Sequence, residues 1–277
     1  MTVPTTNIRM TDLNNVFGYG TSLSKYYGTP FSSGSAPSSG PISYSTFSGK
    51  SAFNPSSLTA PLIVWFDGNT ELSSTSWANN GTIGGSATLT GATLTTINGL
   101  PAVTFAGGTG YGTYTQNYSG QPHAVFWVIK FNAALTSTPI PLAGATTGGD
   151  SFTQIYTTGG QQYMILASFG GSTSIITNPF SADQSTLPAV FGEFASATAA
   201  NNLAYYNGTS LTMSTRSAAS GYSTGNRTAY LGAYANPSIV PNAQSITWCE
   251  VLCYDGELTS TDVAKVVNYL RKKWGTG

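Results

Sequence analysis

Beyond Leu58 the chain breaks into short apolar or alternating runs separated by clusters of Gly, Asn and Thr. PLIVWFD, PAVTFAG, HAVFWVIKF, YMILASF, AVFGEFAS, TAYLGAY and ITWCEVLCYD have the length and the β-branched and aromatic content of strands, and ATLTT, TQIYTT and NLAYYNG join them. Many are bounded by NG, GG or TGN, residues that tolerate the positive φ of tight turns. The clearest hairpin is NNLAYYNGTSL, with Asn207-Gly208 at its turn. Ten or more strands at short spacing, with no helix between them, predict an all-β antiparallel sandwich or barrel.

The period changes at the end. In LTSTDVAKVVNYLRKKWG, Val263, Val266, Val267, Leu270 and Trp274 recur at helical spacing and form one apolar stripe. A helix over about 260–274 follows, with Thr259 and Asp262 as a capping box and Gly275 at its C-terminal cap. One apolar face on a terminal helix has to pack on the sandwich.

The first 56 residues read differently, as an N-terminal docking segment ahead of a domain at 57–277. SLSKYYG (22–28) has a near-copy in SYSTFSG (43–49), and the Pro/Gly/Ser-rich run 29–41 between them reads as a linker without burial potential. Each copy, like the earlier TDLNNVFG, has the form of one capped turn stopped by glycine. Thr11, Ser24 and Ser45 are the expected caps, and Gly18, Gly28 and Gly49 the expected stops. One turn cannot stabilise itself in water. Leu13, Phe17, Tyr26, Tyr27 and Phe47 are therefore expected to dock on a receiving surface, either this chain's own sandwich or a neighbouring subunit.

Composition narrows the function classes. Of the 277 residues only 7% are charged, with ten acids balancing ten bases, against about 25% charged in an average protein. Phosphate neutralisation needs clustered Lys and Arg, so no nucleic-acid partner is expected. The basic run Arg271-Lys272-Lys273 closes the predicted helix, where cations suit the helix dipole. A surface built from Ser, Thr, Asn and Gly offers little charge repulsion, which suits an assembly or an extracellular setting. The opening MTVPTTNIRM lacks a signal-peptide pattern, and PLIVWF is too short to span a bilayer, so no membrane insertion is expected.

Cys249 and Cys253 sit four apart in one predicted strand, about 13 Å from one another. A disulfide needs Cα atoms within about 7 Å, so the two cannot pair; both are expected on one face with Val251, as small buried residues. The single histidine, His123, leaves no obvious metal set, and no cofactor is expected.

The order PLIVWFDG…SSTSWANNG…NGLPAVTFAGGTGYGTY…HAVFWVIKF…RTAYLGAY…ITWCEVLCYDGELTSTDVAKVVNYLRKKWG resembles the laminin-G-like, concanavalin A-like lectin/glucanase superfamily over about residues 58–275. The resemblance implies a jelly-roll sandwich closed by the terminal helix. Members bind glycans, bind proteins or hydrolyse glucans, so the fold alone does not choose. Hydrolysis by retention needs two carboxylates about 5 Å apart. Glu250, Asp255 and Glu257 have the wrong spacing, and Asp150, Asp183 and Glu193 are isolated, so no enzyme is expected.

Asp67 matches the superfamily's common acid at the end of the first strand and is the one calcium candidate. Asn79, Ala106 and Gly110 stand where further ligands would be needed, and turn support is the preferred role for Asp67. Calcium-free glycan binding would draw on Trp77, Tyr111, Tyr114 and Tyr118, whereas Trp65 and Trp127 lie in strongly apolar strands and read as core.

IRMTDLNNVFGYGTSLSKYYG, a spacer and PISYSTFSGK resemble an N-terminal module of structural proteins in tailed-phage and large DNA virus particles. That resemblance implies a non-enzymatic virion protein (minor capsid, decoration, tail or fibre) whose partners are other virion proteins, lattice neighbours or copies of itself. The alternative is a carbohydrate-binding module for host surface glycans; a glycoside hydrolase is disfavoured.

Overall fold

The computed structural model describes residues 1–118, 123–133, 140–145, 152–158, 161–168, 172–175, 187–195, 203–211, 225–235, 239–241 and 243–276. In chain order, helix α1 (Met10–Phe17) is followed by the hairpin β1 (Pro30–Phe31) and β2 (Gly34–Ser35). Then come β3 (Leu62–Asp67), β4 (Ser76–Ala78), β5 (Ser86–Thr90), β6 (Ala92–Ile97), β7 (Leu100–Phe105), β8 (Tyr111–Tyr118) and β9 (His123–Phe131). The second half holds β10 (Ile140–Ala145), β11 (Phe152–Thr158), β12 (Gln161–Ser168), β13 (Ser172–Ile175), β14 (Ala189–Ala195), β15 (Leu203–Tyr206) and β16 (Thr209–Ser210). The remainder is β17 (Gly225–Leu231), β18 (Ala233–Ala235), β19 (Ile239–Pro241), β20 (Ile246–Asp255) and α2 (Ser260–Trp274).

These strands form the antiparallel sandwich that the sequence pattern predicts. One eight-stranded sheet runs β13-β12-β11-β10-β17-β8-β5-β4, and the other runs β16-β15-β14-β9-β20-β7-β6 with β3 also paired to β20. Alternation builds the core between them: Phe66, Trp77, Leu89, Val103, Tyr114, Trp127, Phe191, Leu231 and Trp248 all point inward. The Asn207-Gly208 turn has φ of 47° and 84°, closing the β15–β16 hairpin as its sequence demands.

The second sheet is buried on both faces. Its outer face, carrying Phe126, Val128, Val190, Leu252 and Tyr254, is covered by Val263, Val266, Val267, Leu270 and Trp274 of α2. Thr259 accepts the Asp262 amide, and Gly275 ends the helix at φ 65°. The helix and its stripe fall where the periodicity placed them.

One register change corrects the expectation for the cysteines. In the pairing of β20 with β9 the register shifts between Trp248 and Glu250, and Cys249 is the extra residue. Inward positions therefore switch from Ile246 and Trp248 to Val251 and Cys253. Cys249 lies under α2 while Cys253 lies between the sheets, so the two do not share a face. The same point divides the neighbours of β20, which pairs with β7 at Ile246–Trp248 and with β3 at Glu250–Tyr254.

The N-terminal residues also depart from expectation. Leu13, Phe17, Tyr26, Phe31 and Phe47 bury one another in a core of their own. The equivalent aromatics of the two heptapeptides, Tyr26 and Phe47, meet edge to face at 5.6 Å, and Phe17 contacts both. Leu13, Phe17, Tyr26 and Phe47 are thus not pegs offered to another surface; each turn receives the others' side chains. Tyr27 stays half-buried, its hydroxyl donating to the Gly40 carbonyl.

The run 29–41 is likewise no free linker, because β1 and β2 fold it back and bury Thr29, Pro30, Phe31 and Ala36. The turns begin one position pair earlier than expected. Arg9, Ser22 and Ser43 flank them, in place of Thr11, Ser24 and Ser45, while Gly28 and Gly49 do take φ of 64° and 65°. Val3 donates to the Lys50 carbonyl and Phe53 to that of Pro30, which ties the two ends of the unit together.

Candidate functional site

Where the N-terminal unit meets the far end of α2, a cleft of about 830 Å³ opens. One wall is the stretch from Phe17 to Gly20 with Lys25; the other is Tyr269 and the run Arg271–Lys273; Phe53, Asn98 and Leu100 lie along it. Gly18 at φ 75° ends α1 and turns Tyr19 toward α2. The two walls are joined directly: Lys272 Nζ donates to the Lys25 carbonyl at 2.7 Å and lies 5.8 Å from the centre of the Tyr19 ring. Burial, with Tyr26 beside it, pushes the Tyr19 phenol up to about 12. Burial and the neighbouring Arg271 lower the Lys272 ammonium.

Behind this cleft lies a charged knot that holds the helix end in place. Glu250 is fully buried, and its carboxylate accepts the Trp65 indole N–H at 2.9 Å, the Tyr269 hydroxyl at 2.9 Å and the Trp274 indole N–H at 2.6 Å. Lys273 Nζ lies 2.9 Å from Glu250 Oε2 and 2.8 Å from Asp67 Oδ1. Burial raises the Glu250 carboxyl above its ordinary value, Lys273 opposes that shift, and Asp67 adds to it. Burial, followed by the charge of Glu250, raises the Tyr269 phenol well above its ordinary value.

Asp67 takes part in this knot through Oδ1, which lies beside the Lys273 ammonium. The same oxygen accepts the Asn69 amide, which supports the turn after β3. Among the described residues no group of three or more potential metal ligands converges. Trp65 is half-buried and polar at its tip, and so is not purely core. His123 faces Glu193, Nε2 to Oε1 at 3.6 Å, inside the second sheet.

Among the described residues the predicted aromatic platform does not come together. Trp77 is fully buried against Phe66, with its indole N–H donated to the Asp67 carbonyl. Tyr114 lies edge-on to Phe66 at 5.1 Å in the core. Tyr111, three residues away on β8, points to the opposite face and is half-buried near Tyr230. Tyr118 ends β8, but its side chain lies outside the described residues. Sequence reading missed the cleft residues Tyr19, Lys25, Asn98 and Tyr269. The available signal was the basic run at the end of α2, conspicuous in a chain so short of charge.

No family model matches the chain, and no curated protein does. Solved structures do match in fold. The binding domain of botulinum neurotoxin DC, in complex with SialylT, has a TM-score of 0.58 at 12% identity, covering 76% of this chain and 52% of its own. Botulinum neurotoxin type C, whose entering of cells depends on interaction with two ganglioside molecules, also gives 0.58 at 12%, covering 76% of this chain and 51% of its own. Trypanosoma rangeli sialidase gives 0.54 at 13%, covering 81% of this chain and 34% of its own. This chain therefore spans about half or less of the length of these three structures, and the likeness is one of fold, an antiparallel β-sandwich. Among the described residues no helix is long and apolar enough to cross a membrane.

Proposed function

We propose that this protein is a carbohydrate-binding module whose ligand sits in the cleft between the N-terminal unit and α2. The observation that carries the reading is the cleft's make-up: half-buried tyrosines on opposing walls, Tyr19 and Tyr269, with Asn69 and Asn98 also lining it. Sugar rings stack on aromatic faces, and side-chain amides match hydroxyl pairs. The lectin-like fold supports it, as do the neighbours described with SialylT and gangliosides. Binding without turnover is the form proposed. Glu250 and Asp67, behind the cleft, are buried and held by Lys273, and among the described residues no carboxylate lines the cleft to act on a glycosidic bond.

A glycan array followed by titration tests the proposal. Hits that weaken about tenfold in a Tyr19→Ala variant are expected, the loss typical of one aromatic contact. An array without hits, or hits indifferent to Tyr19→Ala, would remove the reading.

A second reading, a structural protein of a virus particle, has its support in the resemblance of residues 7–50 and in the near-neutral surface. Its docking surface would be the outside of the folded N-terminal unit, because the aromatics first expected to dock are internal. Detection of the chain in purified particles, at a fixed copy number, is its test.

A further inference from the structure

Charge is unevenly spread over this molecule. Four of the chain's ten basic residues line the cleft, Lys25, Arg271, Lys272 and Lys273, and among the described residues no acidic one does. Lys273 is neutralised from behind by Asp67 and Glu250. Among the described residues, Lys25 and Lys272 have no carboxylate within ion-pair distance.

Both of these ammonium groups converge on one corner. Lys272 lies over the Tyr19 ring, and a Cβ on Gly20 would stand only 3.4 Å from Lys25 Nζ. The corner is therefore one aromatic ring with a cation from each wall beside it. Gly20 also has a φ of +96°, which only glycine adopts without strain, so the backbone can turn sharply under Lys25. Burial and the neighbouring Arg271 charge both act on the half-buried Lys272.

We propose that the cleft selects anionic saccharides: sugars carrying a carboxylate or a sulfate, with the anion between Lys25 and Lys272 and the ring against Tyr19. This rests on the carbohydrate-binding reading above and specifies its ligand class. The site is composite, because one cation comes from the N-terminal unit and the other from α2 of the sandwich domain. Neither unit holds the pair by itself.

Calorimetric titration of the full chain with sialyllactose, sulfated lactose and lactose tests it. At least one of the two charged sugars is expected to bind about tenfold or more tighter than lactose, the increment of a charge-assisted hydrogen bond. The sugar that binds identifies the anion as carboxylate or sulfate. Lys25→Gln and Lys272→Gln are each expected to bring the charged-to-neutral ratio down several-fold. Lys25→Gln guards against misfolding, since its ammonium takes part in no ion pair of the fold, whereas Lys272 also bonds the Lys25 carbonyl.

Equal affinity for all three sugars would overturn the anionic class and leave the glycan reading standing. Preference for the charged sugars that survives in both variants would overturn this placement. Silence from all three probes overturns the inference, and silence from the wider array overturns the glycan reading as well.

Discussion

Lys273 Nζ lies 2.9 Å from a carboxylate oxygen of Glu250 that has no exposure to water, and the pair locks the end of α2 onto the central strand β20. Trp274, the next residue, donates its indole N–H to the same oxygen at 2.6 Å. The wall of the cleft that carries Tyr269, Arg271 and Lys272 is set by this knot. Its energetics are thus coupled to the shape of the cleft as well as to stability.

Removing one partner of a buried ion pair leaves the other charge unpaired, at a cost of about 3–5 kcal/mol. Lys273→Met strands Glu250 and Asp67 together. A loss of that order in urea unfolding is expected, and a change below about 1 kcal/mol would show that the knot is not a stabilising unit.

Glu250 also gives a pH signature. Its folded carboxyl titrates above the unfolded value because burial disfavours the anion. Folding then binds a proton in the interval between the two values. The stabilisation from Glu250 is complete below the unfolded value near 4.3 and is lost as pH rises through the folded one. Relative to Glu250→Gln, the wild-type protein should lose stability as pH is raised from about 4.3. Urea midpoints for both proteins across that range measure it, and a gap that does not change with pH would contradict the sign.

The N-terminal core should fail locally. Phe47 is fully buried among Phe17, Tyr26 and Phe31, and a buried Phe→Ala substitution costs about 3–5 kcal/mol. With its own core separate from the sandwich's, the unit around residues 3–47 should lose amide protection in Phe47→Ala while β9 and β20 keep theirs. Hydrogen exchange read by mass spectrometry resolves the two.

Gly68 sits under the knot, and a Cβ there would stand 1.8 Å from the Pro101 carbonyl oxygen and 3.3 Å from the Trp274 ring. Backbone cannot yield cheaply at that distance. Gly68→Ala should cost about 1–3 kcal/mol or more, seen as a lower thermal midpoint, and should weaken glycan binding through displacement of Trp274 and its neighbours.

Much of this architecture was legible in the sequence, for definite reasons. The stripe Val263–Trp274 has one period and one place to go, and the strands carry their turn residues at each end. The N-terminal unit was misread because each turn, taken singly, cannot bury its aromatic ring. Burial emerges only when Phe17, Tyr26, Phe31 and Phe47 meet. The two-residue strands β1 and β2 left no periodic trace in a Pro/Gly/Ser-rich run, which hid Phe31. Trp77 points into the core while its strand neighbours Ser76 and Ala78 face the other way, an alternation too short in a three-residue strand to stand out in the sequence. The cleft was illegible because its walls lie some 250 residues apart in the chain, joined by Lys272 reaching Lys25.

The bulge at Cys249 has a practical consequence. It leaves one thiol sealed beneath α2 and the other sealed between the sheets, neither in a disulfide and both inaccessible to reagent in the native fold. Each is a natural reporter for a different opening event. Labelling at Cys249 times the lifting of the helix from the sheet, labelling at Cys253 times the parting of the sandwich, and a ligand that bridges the helix to the N-terminal unit should slow the first clock before the second.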